Sequence, residues 1–189
     1  MAGATATLLF PGQTQDVVAS WERIVAARAS LAEGDNFWIH PAVGGREGAL
    51  PFYSRVVFRG APEWEITDEE SEATQAGFGF LPETAISLGA MCRGVDSDRV
   101  LGHLALAMLR EREGVLVFDG LLSPALDPAG WKQWSQKSSY ERAALFSSAV
   151  GVHPGRLVAT TVEGEPSYHV VDEKFLAFWM QHAAFHFVN

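Results

Sequence analysis

The chain has very little of several features that would point to a particular class of protein. It contains a single cysteine, Cys92, so it cannot form an internal disulfide. No run approaches the roughly 20 apolar residues that a membrane-spanning helix needs. Only 14 Lys and Arg stand against 23 Asp and Glu, and the formal charge of -9 repels nucleic acid phosphates and anionic lipid. We therefore expect no nucleic acid partner and no membrane partner.

Motifs of common enzymes are also missing. The sequence has no G-x-x-x-x-G-K-[ST] phosphate loop and no serine in a G-x-S-x-G elbow. The first residues, MAGATATLLFPG, have neither the positive start nor the long apolar core of a signal peptide. The sequence therefore predicts a cytoplasmic protein that is not an enzyme and needs no cofactor.

What the chain does have is enough apolar surface for a sizeable core. Hydrophobic residues make up 48% of its 189 residues, and a chain of this length buries roughly 70% of its unfolded surface. One domain over residues 1–189 is expected. Spacing predicts strands over residues 4–10, 37–40, 53–58, 84–92, 114–118, 156–162 and 167–171, and helices over residues 14–32, 98–112, 140–150 and 172–182. This order indicates an α+β fold with a mixed, largely antiparallel sheet layered with helices.

The least average stretch of the sequence is EWEITDEESE, residues 63–72, which we call the acidic segment. It holds six carboxylates in ten residues with no Lys or Arg, and Trp64 and Ile66 lie among them. Charged side chains are almost never fully buried unless paired, so these should stand in water around the two apolar side chains. Such a surface suits a basic protein partner, and the predicted contact residues are Glu63, Trp64, Glu65, Asp68, Glu69, Glu70 and Glu72.

A structural interpretation of the acidic segment is equally open. Acidic residues also favour the first turn of a helix, because they interact well with its dipole, and they favour solvated loops. Under that interpretation the segment carries no function of its own.

A metal site is the main alternative to a protein-binding surface. His182 and His186 stand four apart, a spacing at which two imidazoles on a helix can share a zinc ion, and His169 and Asp172 lie close by in sequence. A metal-assisted hydrolase or transferase could use these four. The metalloprotease pattern is absent, since Ala183 stands where its glutamate would be.

Three smaller patterns favour structural roles. Asp96, Ser97 and Asp98 directly precede an apolar helix, so helix capping is expected ahead of binding a divalent ion. Cys92 follows an apolar strand and should pack as a small hydrophobe. Trp131 and Trp134 are expected to cover an edge of the core.

Two stretches, residues 87–122 and 154–189, resemble an uncharacterised bacterial domain family of small cytoplasmic proteins. The matching residues are Gly114, Leu116, Val117, Phe118 and Gly120 in a strand, then Asp172, Phe175, Leu176, Trp179 and Phe185 in a closing helix and apolar tail. Proteins of this kind look like immunity proteins of bacterial toxin systems. The resemblance implies a shared core and a cognate toxin as partner, and it transfers no catalytic site.

Self-assembly through the aromatic C-terminal helix is a third possible function, beside protein binding and a metal-assisted reaction.

Overall fold

One eight-stranded sheet organises the chain. The structure is a computed structural model, and it describes residues 3–12, 14–40, 48–124 and 128–187. The strands are β1 (Thr5–Phe10), β2 (Ala29–Glu33), β3 (Asn36–Ile39), β4 (Leu50–Phe58), β5 (Thr84–Ala90), β6 (Val115–Phe118), β7 (Leu157–Val162) and β8 (Glu165–Val171). The helices are α1 (Thr14–Ala26), α2 (Asp68–Phe78), α3 (Val95–Glu111), α4 (Pro128–Ser135), α5 (Ser139–Val150) and α6 (Glu173–Trp179).

The strands lie in the order β2-β3-β4-β5-β1-β6-β8-β7. Each neighbouring pair of described strands is antiparallel. The predicted α+β class, with helices layered on a sheet, is therefore confirmed. No described helix is long and apolar enough to cross a membrane.

The central strand β1 shows how the two faces of the sheet differ. Successive side chains of a strand point to opposite faces. Ala6, Leu8 and Phe10 are buried in the main core together with residues of α1, α3 and α6. Leu9 is buried in a smaller cluster on the other side, with side chains from β5, β6 and β8. We call these the helix-covered face and the opposite face.

The prediction of one helix over residues 14–32 is wrong in its last third. Helix α1 ends at Ala26, and the edge strand β2 follows from Ala29 to Glu33. Leu31 extends the helical spacing in sequence, but it is half exposed and pairs with Trp38 of β3. Gly34 lies in the β2–β3 turn with φ +59°. Apolar spacing misled here because a short exposed edge strand carries little periodicity.

The other predicted elements appear with small shifts, and two helices were missed. Helix α4 lies between residues 118 and 140, where no helix or strand was predicted, and residues 125–127 before it lie outside the described residues. Its Trp134 is buried with Leu121 and Ala143, and the Trp131 ring lies 5.0 Å from the Trp134 ring. The two tryptophans thus pack at an edge of the core, as expected from the sequence.

The second helix outside the predicted elements, α2, begins inside the acidic segment, where the first turn of a helix was one of the two open interpretations.

Candidate functional site

The acidic segment forms the approach to helix α2 and its first turn. The Thr67 side chain accepts a hydrogen bond from the Glu70 amide at 3.2 Å, and the Glu70 carboxylate accepts one from the Thr67 amide at 2.7 Å. This reciprocal pair is a capping box, which satisfies backbone donors that the first turn leaves unpaired. Asp68 and Glu69 add negative charge where the helix dipole favours it. Part of the acidic composition therefore serves the helix.

Trp64 and Ile66, the two apolar side chains among these carboxylates, are not freely exposed. Both are partly buried and pack against the cluster of Leu9, Ala85 and Val115 on the opposite face of the sheet. The acidic segment is thus anchored to the sheet by its apolar residues, because their burial is worth more than their exposure. Only the remaining surface of Trp64 is left for a partner.

Two of the carboxylates face arginines of β4 and the residue after it. The Arg55 guanidinium lies 3.7 Å from the Glu63 carboxylate, and that of Arg59 lies 3.9 Å from Asp68. Both pairs are exposed, so each contributes well under about 1 kcal/mol. They orient the segment more than they stabilise it.

Glu70 also joins α2 to β8. The Tyr168 hydroxyl donates a 2.7 Å hydrogen bond to the Glu70 carboxylate. Burial raises the pKa of Tyr168, and the hydrogen bond to Glu70 and the charges of Glu70 and Glu69 raise it further. The hydroxyl is therefore protonated and stays a donor at physiological pH.

Glu65, Glu69 and Glu72 are the carboxylates of the acidic segment that remain available. All three are exposed. No hydrogen bond or ion pair joins them to another described residue. They stand within eight residues of one another, so their negative charges add in the surrounding solvent.

Beside the acidic segment, much of the opposite face of the sheet has no helix over it among the described residues. Side chains that share a face there are half-buried Thr5, Thr7, Tyr53 and Ser87, and exposed Arg55. We call this the open half of the sheet. Arg55 joins it to the acidic segment through Glu63. The two surfaces are therefore contiguous.

The centre of the open half is shaped by a glycine. A Cβ atom on Gly89 would lie 2.1 Å from Cε1 of Tyr53, so the tyrosine ring lies directly over the backbone of β5. Tyr53 and Gly89 are cross-strand partners. Glycine in a strand interior commonly marks such a close approach.

Asp119 completes this centre. Thr5 Oγ1 donates a hydrogen bond to the Asp119 carboxylate. Although Asp119 as a residue is exposed, partial desolvation of its carboxyl raises its pKa. Burial raises the pKa of Tyr53, and the charge of Asp119 raises it further. A hydroxyl, a phenol and a carboxyl group thus lie together on an accessible sheet face.

The outer strands of the open half are more apolar. Trp38 is half-buried, and it pairs across the sheet with Leu31 on one side and Pro51 on the other. Leu31 and Met91, which follows β5, are each 50% exposed. Apolar and aromatic side chains beside a charged rim are typical of protein-binding surfaces.

The four residues of the predicted metal site have separate structural partners. His169 is fully buried, and its Nδ1 accepts a 2.9 Å hydrogen bond from the Leu122 amide. Burial lowers the pKa of His169 to about 4, so the ring is neutral. The Asp172 carboxylate accepts a hydrogen bond from the Phe175 amide at 2.9 Å and begins α6.

His182 and His186 both bond to the backbone of the same residue. His182 Nδ1 accepts a hydrogen bond from the Ala184 amide, and His186 Nδ1 donates one to the Ala184 carbonyl. Within the described parts of the chain, no group of three or more His, Cys, Asp or Glu side chains could hold a metal ion. The structure does not assemble the four residues into a metal site.

The expectation that the Asp96 to Asp98 triplet caps α3 is wrong. The helix begins three residues before the predicted start, with Gly94 as its N-cap and no side-chain cap bond. Asp98 is instead buried, and it accepts a hydrogen bond from the Phe187 amide, while burial raises its pKa to about 6. Cys92 Sγ lies 3.2 Å from Ser97 Oγ. The triplet therefore holds neighbouring segments in place.

Sequence reasoning missed Tyr53, Gly89, Thr5 and Asp119. The alternation of β4 did place Tyr53 and Arg55 on one face, and a glycine inside a predicted strand was a usable signal of close approach. Their meeting depends on β5, β1 and β6 lying side by side, an order that no local pattern encodes.

The fold and the surface define a class: an α+β protein with helices on one face of an antiparallel sheet and an accessible surface on the other. The chain belongs to a family of unknown function, DUF6368, whose model matches residues 2–189. The family thus spans the first eighty residues as well, where the resemblance seen in the sequence hardly reached. No match was found among curated proteins or among solved structures.

Proposed function

We propose that this protein is a non-enzymatic binding protein that docks a basic protein partner on the acidic segment and the adjoining open half of the sheet. The observation that carries the proposal is their contiguity. Glu63 of the acidic segment pairs with Arg55 of a sheet face that presents Tyr53 and has no helix over it among the described residues, and exposed Glu65, Glu69 and Glu72 follow Glu63 in the same segment. Carboxylates speed the encounter with a basic surface, and aromatic side chains supply contact energy once water is excluded.

In its specific form the proposal is that the partner is a cognate bacterial toxin, which this protein neutralises in the cytoplasm. Neutralisation requires a stable scaffold and a specific charged surface, and it requires no reaction centre. The anchoring of Trp64 and the capping of α2 hold the carboxylates on a rigid element, which lowers the entropy lost on binding.

The first test is an interaction with the product of the gene adjacent to that of this protein. Co-expression should rescue cells from that product if it is toxic, and the two proteins should copurify. Rescue should survive replacement of all six histidines by glutamine. Absence of both rescue and copurification contradicts the toxin form of the proposal.

A metal-assisted hydrolase or transferase is not favoured by any observed geometry. Metal analysis of the purified chain separates the two ideas directly. A stoichiometric bound metal that is lost when His182 and His186 are replaced would count for the enzyme.

A further inference from the structure

A second surface, on the helix-covered side of the protein, has the opposite electrostatic character. A cavity of about 510 Å³ lies between α3, the end of α1 and the end of β3. Arg28, His40, His103 and Arg110 line it, and its apolar lining includes Ile39 and Leu104. A volume of this size suits a small organic ligand.

Among the described residues this cavity has no carboxylate in its lining, which is unusual in an acidic chain. Acids outnumber bases by 23 to 14. Two other described cavities each include acids, Glu22 and Asp35 in one, and Asp16 and Glu113 in the other. The cavity beside α3 instead brings two arginines and two histidines to one apolar hollow. Its charge is complementary to an anion.

The cationic surface extends along helix α3 from this cavity to a neighbouring one. Arg99, His103, Leu106 and Arg110 recur at steps of three and four residues, so they form one stripe along the helix. The stripe also lines a neighbouring cavity of about 550 Å³ against Ala177 and Met180 of the α6 region, again with no carboxylate among the lining residues that the structure describes. The two cavities share His103, Leu106 and Arg110.

The two arginines of the first cavity are held in place by the fold. Arg28 donates a 3.2 Å hydrogen bond to the Ile24 carbonyl at the end of α1. Arg110 Nε donates a 3.1 Å bond to the Glu173 carboxylate. Each guanidinium has five N–H donors, so both keep donors for a ligand. Glu173 offsets the charge of Arg110, whereas no carboxylate among the described residues pairs with Arg28, so Arg28 is the principal cation of the described lining.

From this arrangement we infer that the cavity is a binding site for a small organic acid with an apolar body. The carboxylate would accept hydrogen bonds from Arg28, with the imidazoles of His40 and His103 beside it. A planar guanidinium matches a carboxylate in two parallel hydrogen bonds. The apolar body would lie on Ile39, Leu104 and Ala107. This site is separate from the proposed protein-binding surface, and neither depends on the other.

Calorimetry on the full chain tests the inference with four probes: octanoate, 1-octanol, octyl phosphate and inorganic phosphate. Octanoate should bind saturably at one site, at least tenfold more tightly than 1-octanol. Octyl phosphate binding more tightly than octanoate would assign the site to phosphate esters and overturn the carboxylate assignment. Inorganic phosphate should not bind, since it has no apolar body.

Two variants locate the site. R28Q removes the principal cation and should weaken octanoate binding fivefold or more. R99Q, the matched control, changes an arginine that lines only the neighbouring cavity, and it should alter affinity less than twofold. A107L enlarges an apolar side chain in the lining of the first cavity without changing any charge, and it should weaken octanoate binding fivefold or more.

Circular dichroism and thermal unfolding will show whether each variant is folded. If R28Q does not fold, A107L still tests the same cavity, because it leaves Arg28 in place. No saturable binding of octanoate to the unchanged protein would overturn the inference. Equal effects of R28Q and R99Q, or unchanged affinity in folded A107L, would overturn it as well.

Discussion

The Tyr168 hydroxyl of β8 donates a 2.7 Å hydrogen bond to the carboxylate of Glu70 in α2, a residue 98 positions earlier in the chain. The same carboxylate closes the capping box with Thr67. One side chain therefore starts the helix of the acidic segment and fixes that helix to the sheet. This relationship determines how rigidly the exposed carboxylates are held.

Replacing Tyr168 by phenylalanine should lower the free energy of unfolding by about 1–2 kcal/mol, because it removes a hydrogen bond to a charged group. The raised pKa of Tyr168 adds a pH signature. The unfolded tyrosine ionises near pH 10 while the folded one stays protonated, so this contribution is present below about pH 10 and lost above it. Urea unfolding at pH 8 and pH 11 should show a smaller gap between unchanged protein and variant at pH 11.

The buried histidine predicts an acid-sensitive fold. Since burial lowers the pKa of His169 to about 4, the unfolded chain binds more protons between about pH 6.5 and pH 4. Lowering the pH from 7 to 5 should therefore reduce the free energy of unfolding by about 2 kcal/mol, because His169 is protonated in the unfolded chain and stays neutral in the folded one. H169Q, whose side-chain oxygen can accept the Leu122 amide, should reduce this slope. An identical slope in the folded variant would contradict the assignment.

Asp98 predicts a trend of opposite sign. Its folded pKa of about 6 lies above the unfolded value of 3.8, so the carboxyl favours folding at low pH and opposes it as pH rises through about 6. D98N should raise the free energy of unfolding at pH 7.5 by on the order of 1–2 kcal/mol and by less at pH 5. D98A should instead destabilise the fold, because the Phe187 amide loses its acceptor.

The contact between Tyr53 and Gly89 predicts a coupled pair of mutations. G89A should cost about 1–2 kcal/mol, since the new methyl group displaces the tyrosine ring. In a Y53A background the same change should cost little, because the space is then open. A double-mutant cycle by thermal unfolding measures the coupling, and additive effects would show that the ring does not lie over Gly89.

These particular residues show how far the sequence could predict the structure. The apolar runs of β5 and β6 and the apolar spacing of α3 could be recognised from local sequence, so the α+β class and most elements followed. Leu31 misled because a half-exposed edge strand resembles the last turn of a helix in its spacing. The partial burial of Trp64 was not predictable, because it depends on Leu9 and Ala85, which reach it only once β1 and β5 are paired.

The candidate surface was predictable only in part. Six carboxylates in ten residues drew attention to the acidic segment, but the sequence could not show which of them have partners. Glu63, Asp68 and Glu70 have partners, whereas Glu65, Glu69 and Glu72 have no hydrogen bond or ion pair among the described residues. The open half of the sheet arises from strand order and from the placement of α1, α3, α5 and α6 on the helix-covered face. The spacing of residues in the sequence predicts neither the strand order nor the placement of the helices.

The charge-reversal variant E65K/E69K/E72K tests the central proposal most directly, because these side chains can change without disturbing the capping box. Its matched control is E22K/E113K/E163K, which reverses three exposed acids outside the surface and changes the net charge equally. Both variants should retain the thermal stability of the unchanged protein within a few degrees.

The decisive measurement is the affinity of the three proteins for the product of the adjacent gene at 50 mM and 500 mM salt. The account predicts that E65K/E69K/E72K binds at least tenfold more weakly at low salt, that the control binds within threefold of the unchanged protein, and that the difference shrinks at high salt. No binding by the unchanged protein, or equal losses in both variants, would contradict it.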